Sequence, residues 1–171
     1  RIKDLTDVRG SRSNQLYGYG IVTGLSGQGD SRIEYTELGI LNALESLGIR
    51  ADKADKSRNI AAVMVTAEIG PFAKEGSKMD VTVSSIGNAD ALQGGILLQT
   101  PLYGADGKVY SVAQGAVSIG GLSAGGGGGA NVQVNHPTVG IVSNGGLVER
   151  EIDSQVLNNG NEIELILRSP D

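Results

Sequence analysis

The chain holds one histidine, His136, and no cysteine. A thiolate nucleophile, a thiolate metal site and a disulfide are therefore excluded within these residues, and any Ser–His–Asp relay has to use His136. His136 stands directly before Pro137 in a turn, a setting that suits a histidine held by backbone bonds better than a general base. Asp30, Glu34, Asp80, Asp90 and Asp106 are the acids that could pair for acid–base work, but turns account for most of them and no motif links any two. Glycine spacing raises phosphate binding instead. Gly18, Gly20 and Gly24 read G-x-G-x-x-x-G, and Gly24, Gly27 and Gly29 form a second loose match, yet neither ends in Gly-Lys-Ser/Thr and no clear βαβ unit with a ribose-binding acid follows. With 27 glycines in 171 residues such matches arise by chance. The residue types point to no catalytic residue, no metal and no cofactor.

Composition points the same way. Apolar residues make up 39% and charged residues 19%, the balance going to glycine and small polar residues, which favours strands, turns and loops over long helices. A net charge of -5 opposes nucleic-acid binding, which needs surplus Lys and Arg to replace counterions. Lys53, Lys56 and Arg58 come nearest to a basic group, but Asp52 and Asp55 lie among them, so the group reads as a solvated loop. No apolar run approaches the ~20 residues of a membrane helix, so no membrane-embedded segment is expected. The opening RIKDLTDVRG has neither an initiator Met nor an apolar export segment, and is expected to be processed or cut from something longer.

The elements that would position these residues can be read in order. Residues 1–10 suit a short helix or an edge strand. Residues 16–25 read as a short strand entering a glycine turn. The clearest helix is expected at 37–47, with Leu38, Leu41, Leu44 and Leu47 as its core stripe, Thr36 as cap, Tyr35 and Ile40 as a hydrophobic staple, Glu37 at the positive end and Gly48 closing it. NIAAVMVTAEI reads as a buried strand, and Phe72, the chain's one phenylalanine, as a core plug beneath the next turn. Val81 and Val83 alternate with Thr82 and Ser84 in a further strand. Residues 88–93 suggest one helical turn, and 96–102 another strand, in which Pro101 implies an edge or a bulge. Asp106-Gly107 predicts a type I′ hairpin turn into a strand at 109–119, with Ser111, Ala113 and Val117 sharing a face.

The glycine-rich segment 120–130 has almost no side chains to bury and is expected to be a mobile loop, or one fixed only by a neighbour. Alternation resumes at 131–135. Turns at 136–137 and 143–146 flank a run at 138–142, and alternating runs at 147–152 and 163–167 follow, joined through an Asn-Gly turn at 158–161. The fold class is α+β: a mainly antiparallel or mixed β-sheet with hairpins, one amphipathic helix and a glycine-rich loop. One compact domain with a β-hairpin extension is the expected organisation.

Three strings carry a resemblance: RIKDLTDVRGSRSNQLYGYGIVTGLSGQGDS at the start, RNIAAVMVTAEIGPFAKEGSKMDVTVSSIGNADALQGGILLQTPLYGADGKVYSVAQGAVSIGG in the middle, and NHPTVGIVSNGGLVEREI later. They run nearly end to end and resemble the flagellar P-ring proteins of the bacterial basal body. The resemblance implies a periplasmic protein whose signal peptide is removed before Arg1. It implies many copies forming a ring around the rod at the peptidoglycan layer, with the L-ring lipoprotein above and an assembly chaperone in the periplasm as further partners. Such a ring acts as a bushing, and no catalysis is attributed to the family.

Members are longer than this chain, so it looks like the N-terminal half, with the C-terminal half absent. Arg58 keeps a basic position ahead of its strand, whereas Asp90 and Gln93 stand where relatives commonly carry basic residues. Leu38-Gly39-Ile40 replaces a more polar run, and the tract 125–129 is unusually pure glycine. Arg58, Asn88, Asp90, Gln93, Asp106 and Lys108 are the candidate contacts with the rod or a neighbouring subunit. Free strand edges at 96–102 or 109–119 are expected to supply one ring interface. The alternative is a monomeric peptidoglycan-binding module of the periplasm, whose aromatic shelf would come from Tyr17, Tyr19, Tyr103 and Tyr110.

Overall fold

The computed structural model describes residues 5–31, 34–46, 48–50, 58–119, 137–152 and 162–167. In chain order these form β1 (Thr6–Val8), β2 (Asn14–Thr23), α1 (Glu34–Ser46), β3 (Ile60–Ile69), β4 (Lys78–Ser85), β5 (Ile96–Tyr103), β6 (Val109–Ala116), β7 (Val139–Val148) and β8 (Leu165–Leu167). Six strands close into a barrel in the order β2-β3-β4-β7-β6-β5, every pair antiparallel. β1 and β8 form a separate antiparallel pair, so residues 6–8 take the edge-strand option; Leu5 is helical, and residues 1–4 lie outside the described residues. His136, the 120–130 segment, the 131–135 alternation, the 158–161 turn, Lys53, Lys56 and Leu47 lie outside the described residues.

The barrel closes because its strands alternate. Ala61, Val63 and Val65 of β3 meet Val81 and Val83 of β4 and Val22 of β2 in one apolar interior, from which water is excluded. Each fully buried Val or Leu contributes roughly 1.5–3 kcal/mol of transfer free energy, and short β-branched chains suit so narrow a space. Space is so short that β2 turns glycines inward. A Cβ at Gly18 would lie 2.3 Å from the Pro101 carbonyl oxygen, and one at Gly20 2.6 Å from Thr100 Oγ1. The G-x-G spacing is thus a close approach of β2 to β5.

Closure overturns the expectation of free edges at 96–102 and 109–119: β5 is paired with both β2 and β6, and β6 with both β5 and β7. Pro101 sits between two register shifts of the β5–β6 pair, so of the two readings the bulge holds and the edge does not. The expected turn at 143–146 is also a bulge, inside the ten-residue β7. There the β4 register jumps between Met79 and Val81, Asn144 takes φ 53°, and its N–H donates to Asp80 Oδ1 at 2.7 Å. At 105–107 only Gly107 has positive φ, and the Gly107 N–H donates to the Gly104 carbonyl while the Gly104 N–H donates to the Lys108 carbonyl. That is a three-residue loop with a glycine bulge; the expected type I′ turn needs positive φ at Asp106 as well.

The helix begins a turn earlier than expected and faces differently. Thr36 lies within the first turn instead of capping it, and is buried. Gly48 closes the far end as expected: at φ 80° its N–H donates to the Glu45 carbonyl and that of Ile49 to the Leu44 carbonyl. The helix rests on the outer face of β2 through Gly39, whose added Cβ would lie 2.8 Å from Ile21 Cδ1 and 3.0 Å from Tyr19 Oη. Ile21 and its register partner Ala62, both at outward-facing positions of the barrel, are buried there. The leucines, stepping every three residues, drift off this contact, so Leu38 is 54% exposed and Leu41 and Leu44 are half-buried.

Two smaller expectations also fail. Phe72 is 64% exposed; Ala73 packs on the core in its stead. Residues 88–93 form an irregular loop, because the amides of Asp90 and Ala91 bond the Gln28 carbonyl and that of Leu92 the Pro137 carbonyl, leaving no helical turn.

Candidate assembly interface

Strand pairing fixes where the six candidate contacts stand. The C-terminal ends of β2 and β4 and the N-terminal ends of β3, β5 and β7 gather at one end of the barrel, and Arg58, Asn88, Asp90 and Gln93 belong to the loops of that end. Asp106 and Lys108 form the β5–β6 loop at the opposite end. The six therefore make two separate groups.

The first group is stitched together. Arg58, held at φ 51° where a non-glycine residue is strained, points its guanidinium Nη2 at Asp90 Oδ2, 2.8 Å away, and donates from Nε to the Gly29 carbonyl at 3.1 Å. Asn88 Oδ1 accepts the Ser31 N–H and its Nδ2 donates to Ser31 Oγ, each at 2.8 Å. Arg58 and Asn88 thus clamp the 24–31 loop between β3 and the 86–95 loop. The positive charge retained at Arg58 is met by Asp90, and Gln93 is exposed on the neighbouring turn.

The second group is a tightened hairpin tip. Asp106 accepts the Lys108 backbone N–H at 3.1 Å and the Tyr110 hydroxyl at 2.8 Å, and Lys108 Nζ lies 3.9 Å from its carboxylate. The Lys108 backbone bond first, and the Tyr110 bond second, hold the Asp106 carboxyl below its ordinary range, while its bond to Asp106 raises the Tyr110 phenol.

One residue proves more important to the fold than its turn context suggested. Asp30 is 5% exposed; its Oδ2 accepts the Thr36 hydroxyl at 2.7 Å and the Ala62 N–H at 2.8 Å, while Oδ1 is buried without a hydrogen-bond partner. Gly87 permits this, since a Cβ there would lie 2.1 Å from Oδ1. The carboxylate so ties α1 to β3. Tyr19 donates to the Tyr35 carbonyl and Tyr35 to that of Ile86, both at 2.9 Å, and burial first, then Tyr35 and Asp30, raises the Tyr19 phenol. The string GQGDS gave no signal of this, and Thr36 was read as the helix cap and not as its partner.

The acids considered for catalysis are spread over separate structural tasks: Asp30 in this hub, Glu34 in the first turn of α1, Asp80 at the β7 bulge, Asp90 with Arg58 and Asp106 at the hairpin. No cluster of three or more His, Cys, Asp or Glu suited to a metal occurs among the described residues. Of the four tyrosines considered for an aromatic shelf, Tyr17 and Tyr103 are register partners on neighbouring strands, while Tyr19 and Tyr110 are engaged by α1 and Asp106. Beside Tyr17 an open groove of about 530 Å³ runs across β2, β3 and β4, lined by Gln15, Thr66, Glu68, Asp80 and Thr82 among others.

A family model described as flagellar P-ring protein matches residues 1–171, the whole chain. The chain belongs to the flagellar P-ring protein family. It is 52% identical over 172 residues to flagellar P-ring protein 1 of Vibrio parahaemolyticus, covering 99% of this chain and 46% of the relative. To the flagellar P-ring protein of Syntrophotalea carbinolica it is 54% identical over 173 residues, covering 100% of this chain and 47% of that protein. The flagellar P-ring protein of Geobacter sulfurreducens is 50% identical over the same length, with 46% of it covered. The chain thus spans about half the length of the curated relatives it matches. No helix among the described residues is long and apolar enough to cross a membrane.

Proposed function

We propose that this chain is a structural subunit of the flagellar P ring, assembling in many copies into a periplasmic ring that serves as a bushing around the rotating rod. The family match over residues 1–171 carries the reading. The fold is suited to it: a closed, apolar-filled barrel resists shear, and the acids of its loops are spent on internal bonds that stiffen them. In this role the ring faces the rod, the L-ring lipoprotein, a periplasmic assembly chaperone and the peptidoglycan layer. Arg58, Asn88, Asp90 and Gln93 supply one contact zone and Asp106 and Lys108 a second, at the other end of the barrel. Barrel and helix make one compact domain, and β1 and β8 belong to a β-extension.

A chimera tests this. Residues 1–171 replace the matching segment of the Vibrio parahaemolyticus relative in a cell lacking its own P-ring protein, and isolated basal bodies are imaged. Rings and restored motility are expected; a chimera that accumulates folded in the periplasm yet forms no ring overturns the proposal.

A second reading rests on Tyr17 and Tyr103 beside the β2–β4 groove, since an aromatic face with neighbouring amide and carboxylate groups is suited to a sugar ring. It makes the chain a monomeric peptidoglycan-binding module. Sedimentation with purified sacculi separates the two: binding that Tyr17→Ala abolishes, by a chain that never self-associates, favours the second.

A further inference from the structure

The β1–β8 pair is separate from the barrel sheet and has a sidedness of its own. Neighbouring residues of a strand point to opposite faces, and register partners point to the same one. Leu165 and Leu167 therefore share a face with their partners Val8 and Thr6, and Ile166 shares the other with Asp7. On that second face the next pair along is Arg9 and Glu164, whose side chains join at 2.7 Å, so this side is largely polar. The first face holds no charged side chain among the described residues of the ribbon. Leu165 is 51% and Leu167 58% exposed on it, and Ile163, of the same parity, is 59% exposed.

Two strands of three residues with an apolar face open to water do not hold together unaided; a further strand, or a layer packed on the apolar side, stabilises such a pair. Neither the barrel nor α1 supplies that layer, since the three aliphatic side chains stay more than half exposed with both in place. At ~3.3 Å per residue they span only about 13 Å, a width that one amphipathic segment covers.

Two facts indicate what supplies it. The Vibrio parahaemolyticus and Syntrophotalea carbinolica relatives are covered over only 46% and 47% of their length, so more than half of each lies outside the match. Strand β1 stands beside the first residue of the chain and β8 beside the last, so a continuation on either side emerges at the ribbon. A segment tethered there acts at an effective concentration in about the millimolar range, which a separate molecule does not reach.

We infer that the face formed by Ile163, Leu165 and Leu167 is the docking site for an amphipathic segment from that other part of the P-ring polypeptide, seated by apolar burial. The inference rests on family membership and not on the ring reading. Because the chain has no cysteine, single cysteines report on each face. Leu165→Cys and Ile166→Cys are made in the 171-residue chain and in the chimera with the Vibrio parahaemolyticus relative, any cysteine of the relative being changed to serine. Maleimide labelling is followed at dilutions where sedimentation shows a monomer. Val63→Cys, in the barrel interior, stays unlabelled in both proteins and reports that the barrel is folded. Where the chimera misfolds, the unmatched part of the relative, added as a separate polypeptide, takes its place.

Leu165→Cys is expected to label at least about tenfold more slowly in the chimera than in the chain alone, and Ile166→Cys at about the same rate in both. Equal rates for Leu165→Cys in the two proteins, or equal slowing at both positions, overturn the inference. So does slowing in the chain alone as its concentration rises, which assigns the face to a second copy. None of these results bears on the ring reading, which the basal-body images decide.

Discussion

Replacing Asp30 by Ala should be among the most damaging single changes in the chain, and replacing it by Asn distinctly less so. Oδ2 accepts two buried donors, the Thr36 hydroxyl at 2.7 Å and the Ala62 amide at 2.8 Å. Alanine strands both, and an unsatisfied buried donor costs about 1–3 kcal/mol. Two of them give roughly 2–6 kcal/mol, reduced by relief of carboxylate desolvation. Asparagine keeps a carbonyl at the Oδ2 position and removes the charge; its amide replaces Oδ1, which has no partner to lose. The two N–H donors of that amide find no partner there, so its net cost is expected at about 1–2 kcal/mol, below that of alanine.

Urea unfolding measures both, and Thr36→Val completes a double-mutant cycle. The double change should cost less than the sum, since the hydroxyl orphaned by Asp30→Ala is gone, with a coupling of roughly 0.5–3 kcal/mol. Hydrogen exchange should show α1 losing protection before the barrel does. If Asp30→Asn is as harmful as Asp30→Ala, charge and not acceptor geometry holds the helix, and the reasoning fails.

Gly18→Ala should destabilise the barrel by about 2 kcal/mol or more, because its Cβ meets the rigid Pro101 carbonyl at 2.3 Å; wild-type stability on denaturation would mean that β2 and β5 are not so close. Phe72→Ala, at a side chain 64% exposed, should stay within about 0.5 kcal/mol on the same assay. Asp106 has its folded pKa depressed, so its contribution is present above the unfolded carboxylate pKa and is lost as pH falls through the lower folded value. An NMR titration of its carboxyl carbon should show Tyr110→Phe raising that midpoint toward the ordinary range.

The sequence carried the barrel's strands because their signal is local. NIAAVMVTAEI and the Val81–Val83 alternation became β3 and β4, and both faces of β6 followed the expected parity. What it could not carry was set by partners distant in the chain. Closure depends on β2 meeting β5 and on β4 meeting β7, pairs 55 or more residues apart in their closest registers, and no periodicity within one strand reports them. The leucine row predicted the helix but not its orientation, since a Gly39 contact brings two backbones nearer than leucine would allow. Arg58, Asn88 and Asp90 could be named as candidates, yet the bonds of Arg58 to Asp90 and of Asn88 to Ser31 could not, because each joins loops about 30 or more residues apart.

Those bonds also change what the candidates mean. A contact zone meant to grip a partner by charge would leave its charges unpaired, whereas Arg58 and Asp90 largely neutralise one another at 2.8 Å and Asp106 is already occupied by Tyr110. Loops stiffened in this way hold their shape against a moving surface while offering it little electrostatic hold. Exposed apolar side chains, in contrast, occur both on the sides of the barrel, at Leu38 and Ile141, and at its ends, at Ile86, Ile96 and Phe72, so contact by apolar burial is open to either.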